Sequence, residues 1–174
     1  MGRIVLVTGG ARSGKSSFAL EEALRHSGKR VFIATALALD DEMKDRIRKH
    51  QAERGEDFAT IEEPLDLTSR LDSLGEDVEV VVVDCLTVWL GNLFHKWGNN
   101  EEGVKRQIER FCEVLPATNI RLILVTNEVG FGIVPENELA RHYRDMLGFL
   151  NHKIAEHSDK VYCCICGIPL CIKG

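Results

Sequence analysis

The chain has 174 residues, 44% of them hydrophobic, which is enough for one domain with a sizeable core. Its 22 basic and 27 acidic residues give a net charge of −5, so we expect no nucleic-acid partner. It has no apolar run of membrane-spanning length and no charged-then-apolar segment at its start, so we expect a cytoplasmic protein without membrane insertion. We therefore predict a single domain over residues 1–174.

A glycine-rich segment follows the first predicted strand. The apolar run Ile4–Thr8 predicts that strand, and the segment behind it matches the phosphate-loop pattern G-x-x-x-x-G-K-[ST]. Glycines let successive N–H groups turn toward phosphate oxygens, and a helix predicted from Ser17 to about His26 adds its positive end. We expect Lys15 to reach the β- and γ-phosphates and Ser16 to bind Mg²⁺. The alternative is a turn that contains a lysine by chance; we expect the nucleoside triphosphate site, formed by Gly9, Gly10, Ala11, Arg12, Ser13, Gly14, Lys15 and Ser16.

Further apolar runs predict a parallel sheet covered on both faces. They are Arg30–Ala36, Val78–Val83, Ile120–Thr126, Val161–Ile165 and a short return at Leu170–Ile172. Helical patterns lie between them, the strongest from Leu139 to Ile154 with Asn137 as its N-cap. This alternation predicts a three-layer α/β domain with right-handed crossovers. The segment Gly167-Ile168-Pro169 predicts the turn of a closing antiparallel hairpin.

The segment after the second predicted strand reads as a helix from Asp40 to Gly55, with acids first, bases last and glycine as its end. Arg46, His50 and Arg54 are spaced four residues apart and share one helix face. Two guanidiniums beside an imidazole would keep it neutral and nucleophilic toward a phosphate chain. On spacing alone, a solvated helix face is the favoured interpretation.

Two later segments follow predicted strands, at the edge where ligands of such sheets bind. Asp84 comes directly after Val78–Val83, and we expect it to hold Mg²⁺ rather than to serve only as a turn residue. The segment Asn127–Asn137 contains two glycines and several apolar residues. It predicts a loop that contacts a ligand or a neighbouring subunit, and an ordinary connection is an equal alternative.

The chain contains six cysteines. A reducing compartment argues against disulfides, and the spacings lack the paired C-x-x-C pattern of a zinc site. We expect Cys163, Cys164, Cys166 and Cys171 to be buried strand residues, in place of aliphatic side chains, rather than metal ligands.

Together these motifs resemble the bifunctional adenosylcobinamide kinase/adenosylcobinamide-phosphate guanylyltransferase family of cobalamin biosynthesis, from about residue 4 to 172. The segments that carry the resemblance are Thr8–Ser16, Ile33–Ala36, Asp40–Met43 with Arg46, Ile47 and His50, Asp84–Thr87, Val125–Asn137 and Gly167–Leu170. The phosphate loop is common to many families, whereas the long motif after Val125 together with the histidine-bearing helix is specific.

The resemblance implies a RecA-like P-loop NTPase fold, a homotrimer, and two reactions. A nucleoside triphosphate, ATP or GTP with Mg²⁺, phosphorylates the aminopropanol hydroxyl of adenosylcobinamide. GTP then donates GMP to adenosylcobinamide phosphate through a guanylylated His50, and pyrophosphate leaves. The implied nucleotide-binding positions are Gly9–Ser16, Ala34, Thr35, Ala36, Gln51, Ala52, Glu53, Arg54, Glu62 and Asp84, where Glu62 is favoured over Glu63 by a gap-free count from His50.

The sequence identifies no general base for the phosphorylation, and Asp84 stands where some relatives carry Glu. Two other functions remain open. One is a kinase for a different small molecule, and the other is a nucleotide-driven binding module that hydrolyses the triphosphate without an acceptor.

Overall fold

The computed structural model describes residues 3–37, 55–98 and 100–174. The strands are β1 (Ile4–Gly9), β2 (Lys29–Ala34), β3 (Ala59–Glu62), β4 (Val78–Asp84), β5 (Arg121–Val125), β6 (Lys160–Ile165) and β7 (Ile168–Lys173). The helices are α1 (Lys15–Leu24), α2 (Leu67–Asp72), α3 (Leu86–Trp97), α4 (Glu101–Val114) and α5 (Glu138–His157), with a 3₁₀ turn at Gly55–Asp57.

The strands of the described residues form one sheet in the order β3-β2-β4-β5-β1-β6-β7. All neighbouring pairs are parallel except β6 and β7, which are antiparallel. This arrangement confirms the predicted parallel sheet closed by an antiparallel C-terminal hairpin. Because β1, β5 and β4 lie side by side, the segments that follow these three strands emerge together at one edge.

Alternate residues of the central strands pack against two different layers of helices. Val80 and Val82 of β4 belong to the cluster that contains Phe18 of α1, whereas Val81 and Val83 belong to the cluster of α3, α4 and α5. In this second layer the rings of Trp89 and Phe111 lie 5.2 Å apart. Burial on both faces is why the strands appear in the sequence as continuous apolar runs rather than alternating ones.

Several boundaries differ from the predicted ones. Helix α1 begins at Lys15 instead of Ser17, so the last two residues of the phosphate-loop motif form the first helical turn. Strand β3 and helix α2 were not predicted, because β3 is a four-residue edge strand and α2 has only six residues. The helix predicted from Asp40 to Gly55 lies outside the described residues, apart from Gly55 itself.

The C-terminal hairpin turns one residue earlier than predicted. Its turn residues are Cys166 and Gly167, with φ of 52° and 81°. Positive φ at both central residues is the geometry of a type I′ turn, which matches the twist of the flanking strands. Ile168 and Pro169, predicted as turn residues, therefore lie in β7, where Pro169 opposes Cys164. Proline is tolerated there because β7 is an edge strand.

The cysteine prediction is right for one residue and wrong for two. Cys164 is buried, but Cys166 and Cys171 are exposed, while Cys163 is half-buried. The reason is that all six residues of β7 are exposed at the sheet edge and Cys166 lies in the turn. Among the described residues, no three His, Cys, Asp or Glu side chains come together in a group that could hold a metal ion.

None of the helices in the described part of the chain combines the length and the apolar character that a membrane span requires.

Candidate active site

The phosphate loop connects β1 to α1 at the carboxyl edge of the sheet. Gly9 has a φ of +142°, and a Cβ on it would lie 2.3 Å from the carbonyl oxygen of Cys164, so only glycine allows β6 to pair so closely here. Gly14 is the N-cap of α1 and supplies no side-chain hydrogen bond to the first turn. The first N–H groups of α1 are thus left without a side-chain cap, which is the arrangement that binds an anion.

Lys15 is held inside this loop, with only 7% of its surface exposed. Its Nζ atom donates to the carbonyl oxygen of Gly10 at 2.5 Å and to Oγ of Ser13 at 3.3 Å. Burial lowers the pKa of Lys15, and the negative charge of Asp84 opposes that shift. The ammonium group is therefore close to both the loop and the end of β4.

Asp84 and two other predicted nucleotide-binding positions lie in one row across the sheet. The register pairs Glu62 of β3 with Ala34 of β2, Ala34 with Asp84 of β4, and Asp84 with Val125 of β5. Val125 in turn pairs with Val7 of β1. Residues of one row share a face, so the Asp84 side chain points to the α1 face, with only β5 between it and the phosphate-loop strand.

The oxygen groups of Ser16 and Asp84 suit a Mg²⁺ ion that is bound together with a triphosphate. Mg²⁺ takes oxygen ligands and is held by one or two protein groups plus phosphate oxygens and water, so no three-residue cluster is needed. The Ser16 hydroxyl, in the first turn of α1, and the Asp84 carboxylate are such oxygen groups, and Ser16 is half-buried. These residues fit the ion, and its binding there stays a prediction.

The end of β2 is tied to the end of β4 through Thr35, which is fully buried. Its hydroxyl donates to the carbonyl oxygen of Cys85 and accepts from the Cys85 N–H, each at 2.8 Å. The Thr35 carbonyl oxygen accepts from the side chain of Asn92 at 2.8 Å. The hydroxyl is thus shared with Cys85, and the nucleotide contact predicted for Ala34, Thr35 and Ala36 stays a prediction.

The structure separates the roles of Glu62 and Glu63. The Glu63 carboxylate accepts from the N–H groups of Leu65 and Asp66 at 3.0 and 2.8 Å, and it lies 3.6 Å from the Arg70 guanidinium. These bonds hold the start of α2. Glu62 is exposed in the described structure, which favours it over Glu63 for a ligand contact.

The segment that follows β5 is anchored beside the phosphate loop. The N–H of Glu128 donates to the carbonyl oxygen of Gly9 at 3.0 Å, and the N–H of Asn127 donates to Oγ1 of Thr87 at 2.7 Å. Asn151 of α5 donates from its side chain to the Asn127 carbonyl oxygen at 3.1 Å and accepts from the Thr126 hydroxyl at 2.7 Å. These bonds join β5, α3 and α5 into one polar network at the carboxyl edge.

Sequence reasoning did not find the network residues Thr87 and Asn151, nor the contact of the C-terminal turn with the phosphate loop. In that contact the Gly167 N–H donates to the Ser13 carbonyl oxygen at 3.1 Å. Asn151 lies within a helix of mixed composition, where nothing in the local pattern marks it. Thr87 and Gly167 belong to segments that carry the family resemblance, but the sequence predicts neither of these two contacts.

The remaining predicted site residues lie outside the described residues. They are His50, Gln51, Ala52, Glu53 and Arg54, together with Arg46. Their proposed roles rest on the sequence.

Comparisons with known proteins agree with one another. The family model described as "Cobinamide kinase / cobinamide phosphate guanyltransferase" matches residues 5–172. The bifunctional adenosylcobalamin biosynthesis protein CobP of Pseudomonas aeruginosa is 43% identical over 97% of this chain and 96% of its own length. The bifunctional adenosylcobalamin biosynthesis proteins CobU of Escherichia coli and Salmonella typhimurium are 36% and 38% identical, each over 98% of this chain and 99% of their own lengths.

A solved structure supports the fold. The crystal structure of the RadB recombinase matches with a TM-score of 0.53 at 18% identity, covering 92% of this chain and 73% of that chain. The three-layer fold of the RecA-like P-loop NTPases is thereby confirmed. With a family model that spans nearly the whole sequence and relatives of matching length, the chain belongs to the cobinamide kinase/cobinamide phosphate guanyltransferase family of bifunctional enzymes in cobalamin biosynthesis.

Proposed function

We propose that the protein phosphorylates the aminopropanol hydroxyl of adenosylcobinamide with ATP or GTP, and then transfers GMP from GTP to adenosylcobinamide phosphate. The products are adenosylcobinamide-GDP and pyrophosphate. One structural observation carries the proposal: the uncapped start of α1 and the buried Lys15 ammonium lie at the sheet edge where Asp84 ends β4. Family membership supports both reactions.

In the phosphorylation, the residues of the phosphate loop bind the triphosphate. The N–H groups at the start of α1 hold its phosphate oxygens, and Lys15 stabilises the negative charge on the group that is transferred. Ser16 and Asp84 would hold Mg²⁺, which neutralises charge on the phosphates when bound. A lysine kept inside the loop needs no large movement to meet the phosphates, since its Nζ is already bonded to Gly10 and Ser13.

In the guanylyl transfer, we propose His50 as the nucleophile. Its neutral imidazole attacks the α-phosphorus of GTP, the bond to the bridging oxygen breaks, and pyrophosphate leaves. The phosphate of adenosylcobinamide phosphate then attacks the guanylylated histidine and frees the imidazole. Gln51, Ala52, Glu53, Arg54 and Glu62 are proposed to contact the nucleotide, which rests on the resemblance of these positions to the family.

Labelled GTP tests the covalent step. We expect α-phosphate label to stay on the protein in an acid-labile, alkali-stable bond, and γ-phosphate label to leave no trace. His50→Ala should abolish the label and the guanylyl transfer, whereas His95→Ala, which changes an exposed histidine on α3, should retain both. A wild-type protein that never carries label would favour a kinase of another small molecule. Triphosphate hydrolysis without any small acceptor would favour the nucleotide-driven binding module.

We also propose a homotrimer located in the cytoplasm. The loop after β5 supports the assembly, because Phe131 and Ile133 are 91% and 97% exposed and Val134 is 61% exposed. Adjacent exposed apolar side chains of this kind mark an interaction surface. Sedimentation equilibrium should give the mass of three chains, and Phe131→Ser combined with Ile133→Ser should shift the mass toward one. A wild-type monomer at micromolar concentration would contradict the proposal.

A further inference from the structure

The phosphorylation proposed above lacks a residue that accepts the proton of the acceptor hydroxyl. The position of β5 indicates where such a residue belongs. Strand β5 lies between β1 and β4, and Val125 pairs with both Val7 and Asp84. The chain that leaves β5 therefore enters the space between the phosphate loop and Asp84, where the transferred phosphoryl group would be held.

Glu128 is the first carboxylate after β5, and hydrogen bonds hold its backbone on both sides. Its own N–H is bonded to Gly9, the first residue of the phosphate loop, at 3.0 Å. The preceding residue is held by Thr87 at its N–H and by Asn151 at its carbonyl oxygen. A residue anchored in this way keeps a constant position relative to the loop, which is what a reacting group requires.

The carboxylate of Glu128 is oriented by one bond and retains acceptor capacity. The N–H of Gly130 donates to its Oε1 at 2.5 Å, and Arg144 holds the same turn by donating to the Gly130 carbonyl oxygen at 2.9 Å. Glu128 is half-buried, and no salt bridge to it is found among the described residues. A carboxylate has about four acceptor sites, so one backbone N–H leaves room for a hydroxyl group.

The other carboxylates of the described residues at this edge are less suited. Asp84 is proposed for Mg²⁺, and Glu63 is bonded to two backbone N–H groups next to Arg70. Glu62 ends β3, which is four strand intervals away from β1. At about 5 Å per interval this places its backbone roughly 20 Å from the phosphate-loop strand.

We propose that Glu128 is the general base of the phosphorylation step, an inference that rests on the proposed function. As the acceptor oxygen forms its bond to the γ-phosphorus, the hydroxyl proton passes to the Glu128 carboxylate. The bond between the γ-phosphorus and the β–γ bridging oxygen breaks, and its electron pair leaves with the nucleoside diphosphate. Glu128 afterwards releases the proton to water.

The two reactions of this enzyme differ in their need for such a base. The acceptor of the first is an alcohol, which must lose a proton. The acceptor of the second is a phosphate group, whose second pKa is about 6, so it is already ionised at neutral pH. Loss of the base should therefore affect only the first reaction.

The experiment compares Glu128→Gln with Glu136→Gln in the full-length protein. Glutamine keeps an oxygen for the Gly130 N–H but cannot take up a proton, and Glu136 is an exposed carboxylate in the same loop. Cobinamide phosphorylation is measured with ATP, and guanylyl transfer is measured separately with GTP and cobinamide phosphate prepared beforehand. For Glu128→Gln we expect kcat of phosphorylation to fall about 10²- to 10⁴-fold, the KM for ATP to change less than about threefold, and guanylyl transfer to stay at the wild-type rate. Glu136→Gln should match the wild type in both reactions.

Glu128→Asp adds a second test, since aspartate keeps the carboxylate but its side chain is shorter by one methylene group. Partial phosphorylation activity, above that of Glu128→Gln, is expected. Unchanged phosphorylation in Glu128→Gln would overturn the inference, and so would an equal fall of both reactions, which indicates a structural role. A wild-type protein that does not phosphorylate cobinamide would instead overturn the proposed function, and this inference with it.

Discussion

Replacing Gly167 with alanine tests whether the β6–β7 turn supports the phosphate loop. The Gly167 N–H donates to the Ser13 carbonyl oxygen at 3.1 Å, and a Cβ on Gly14 would lie 3.2 Å from the Cα of Gly167. A Cβ on Gly167 itself would meet no atom of the described residues within 4 Å, so the substitution clashes with none of them. It acts through the backbone, because the φ of Gly167 is +81°.

The size of the effect follows from two terms. A left-handed conformation costs an alanine about 1–2 kcal/mol, which appears as lower stability or is relieved by a shift of the turn. Such a shift would weaken the hydrogen bond to Ser13, which is worth about 0.5–1.5 kcal/mol. If the loop must recover that free energy to bind phosphate, triphosphate affinity falls about two- to tenfold, since about 1.4 kcal/mol is a factor of ten.

Gly98→Ala is the control for a strained glycine away from the loop. Gly98 has a φ of 57° and a ψ of −131°, a backbone conformation that strains an alanine more than the left-handed helical region does, and it ends α3 without a hydrogen bond to the phosphate loop. Urea denaturation should show a loss of stability in both variants, at least as large in Gly98→Ala as in Gly167→Ala. Isothermal titration with a non-hydrolysable ATP analogue should show weaker binding only in Gly167→Ala. Wild-type affinity in Gly167→Ala, despite its lower stability, would refute the idea that this turn positions the loop.

Three further predictions concern single side chains. Lys15→Ala should abolish cobinamide phosphorylation and weaken triphosphate binding, because its buried ammonium is the charge held within the loop; normal phosphorylation by the variant would contradict this role. Thr87→Val leaves the Asn127 N–H without its acceptor and should lower the free energy of unfolding by about 1–3 kcal/mol in urea, whereas Thr87→Ser should retain most of it. Burial raises the pKa of the Cys112 thiol from 9.0 to about 11, so the unfolded chain loses a proton that the folded one keeps. Stability should therefore fall as the pH rises from 9 toward 11, and Cys112→Val should show a smaller fall over the same range.

The predicted elements that the structure confirms are those with strong local signals. The runs around Val80 and Leu124 are apolar because both faces of these strands are covered. A continuous apolar run of this kind can be identified as a strand from neighbouring residues alone. The cap at Asn137 was also predicted correctly, since its side chain accepts from the N–H of Ala140 at 3.0 Å. Strand β3 escaped prediction because its short, exposed sequence carries little of this pattern.

The hairpin shows how a local pattern can mislead. Gly167-Ile168-Pro169 has the composition of a turn, but Cys166 adopts the positive φ at the first turn position and the proline pairs within β7. The prediction that Cys166 and Cys171 are buried is wrong for a related reason. Whether a strand lies at the edge of a sheet depends on the order of all the strands, which no local window contains.

The amino-acid sequence by itself determined the phosphate loop, the strand that precedes it, the parallel α/β class and the family, because each depends on residues that are close together in the chain. Only the tertiary structure decided which distant groups meet at the loop. It placed Asp84 two strands away from β1, with β5 between them, bonded Glu128 to Gly9, and brought Gly167 against Ser13. The reason is physical: hydrogen bonds between strand ends follow from strand order and register, and both are set by the packing of the whole sheet between its two helical layers.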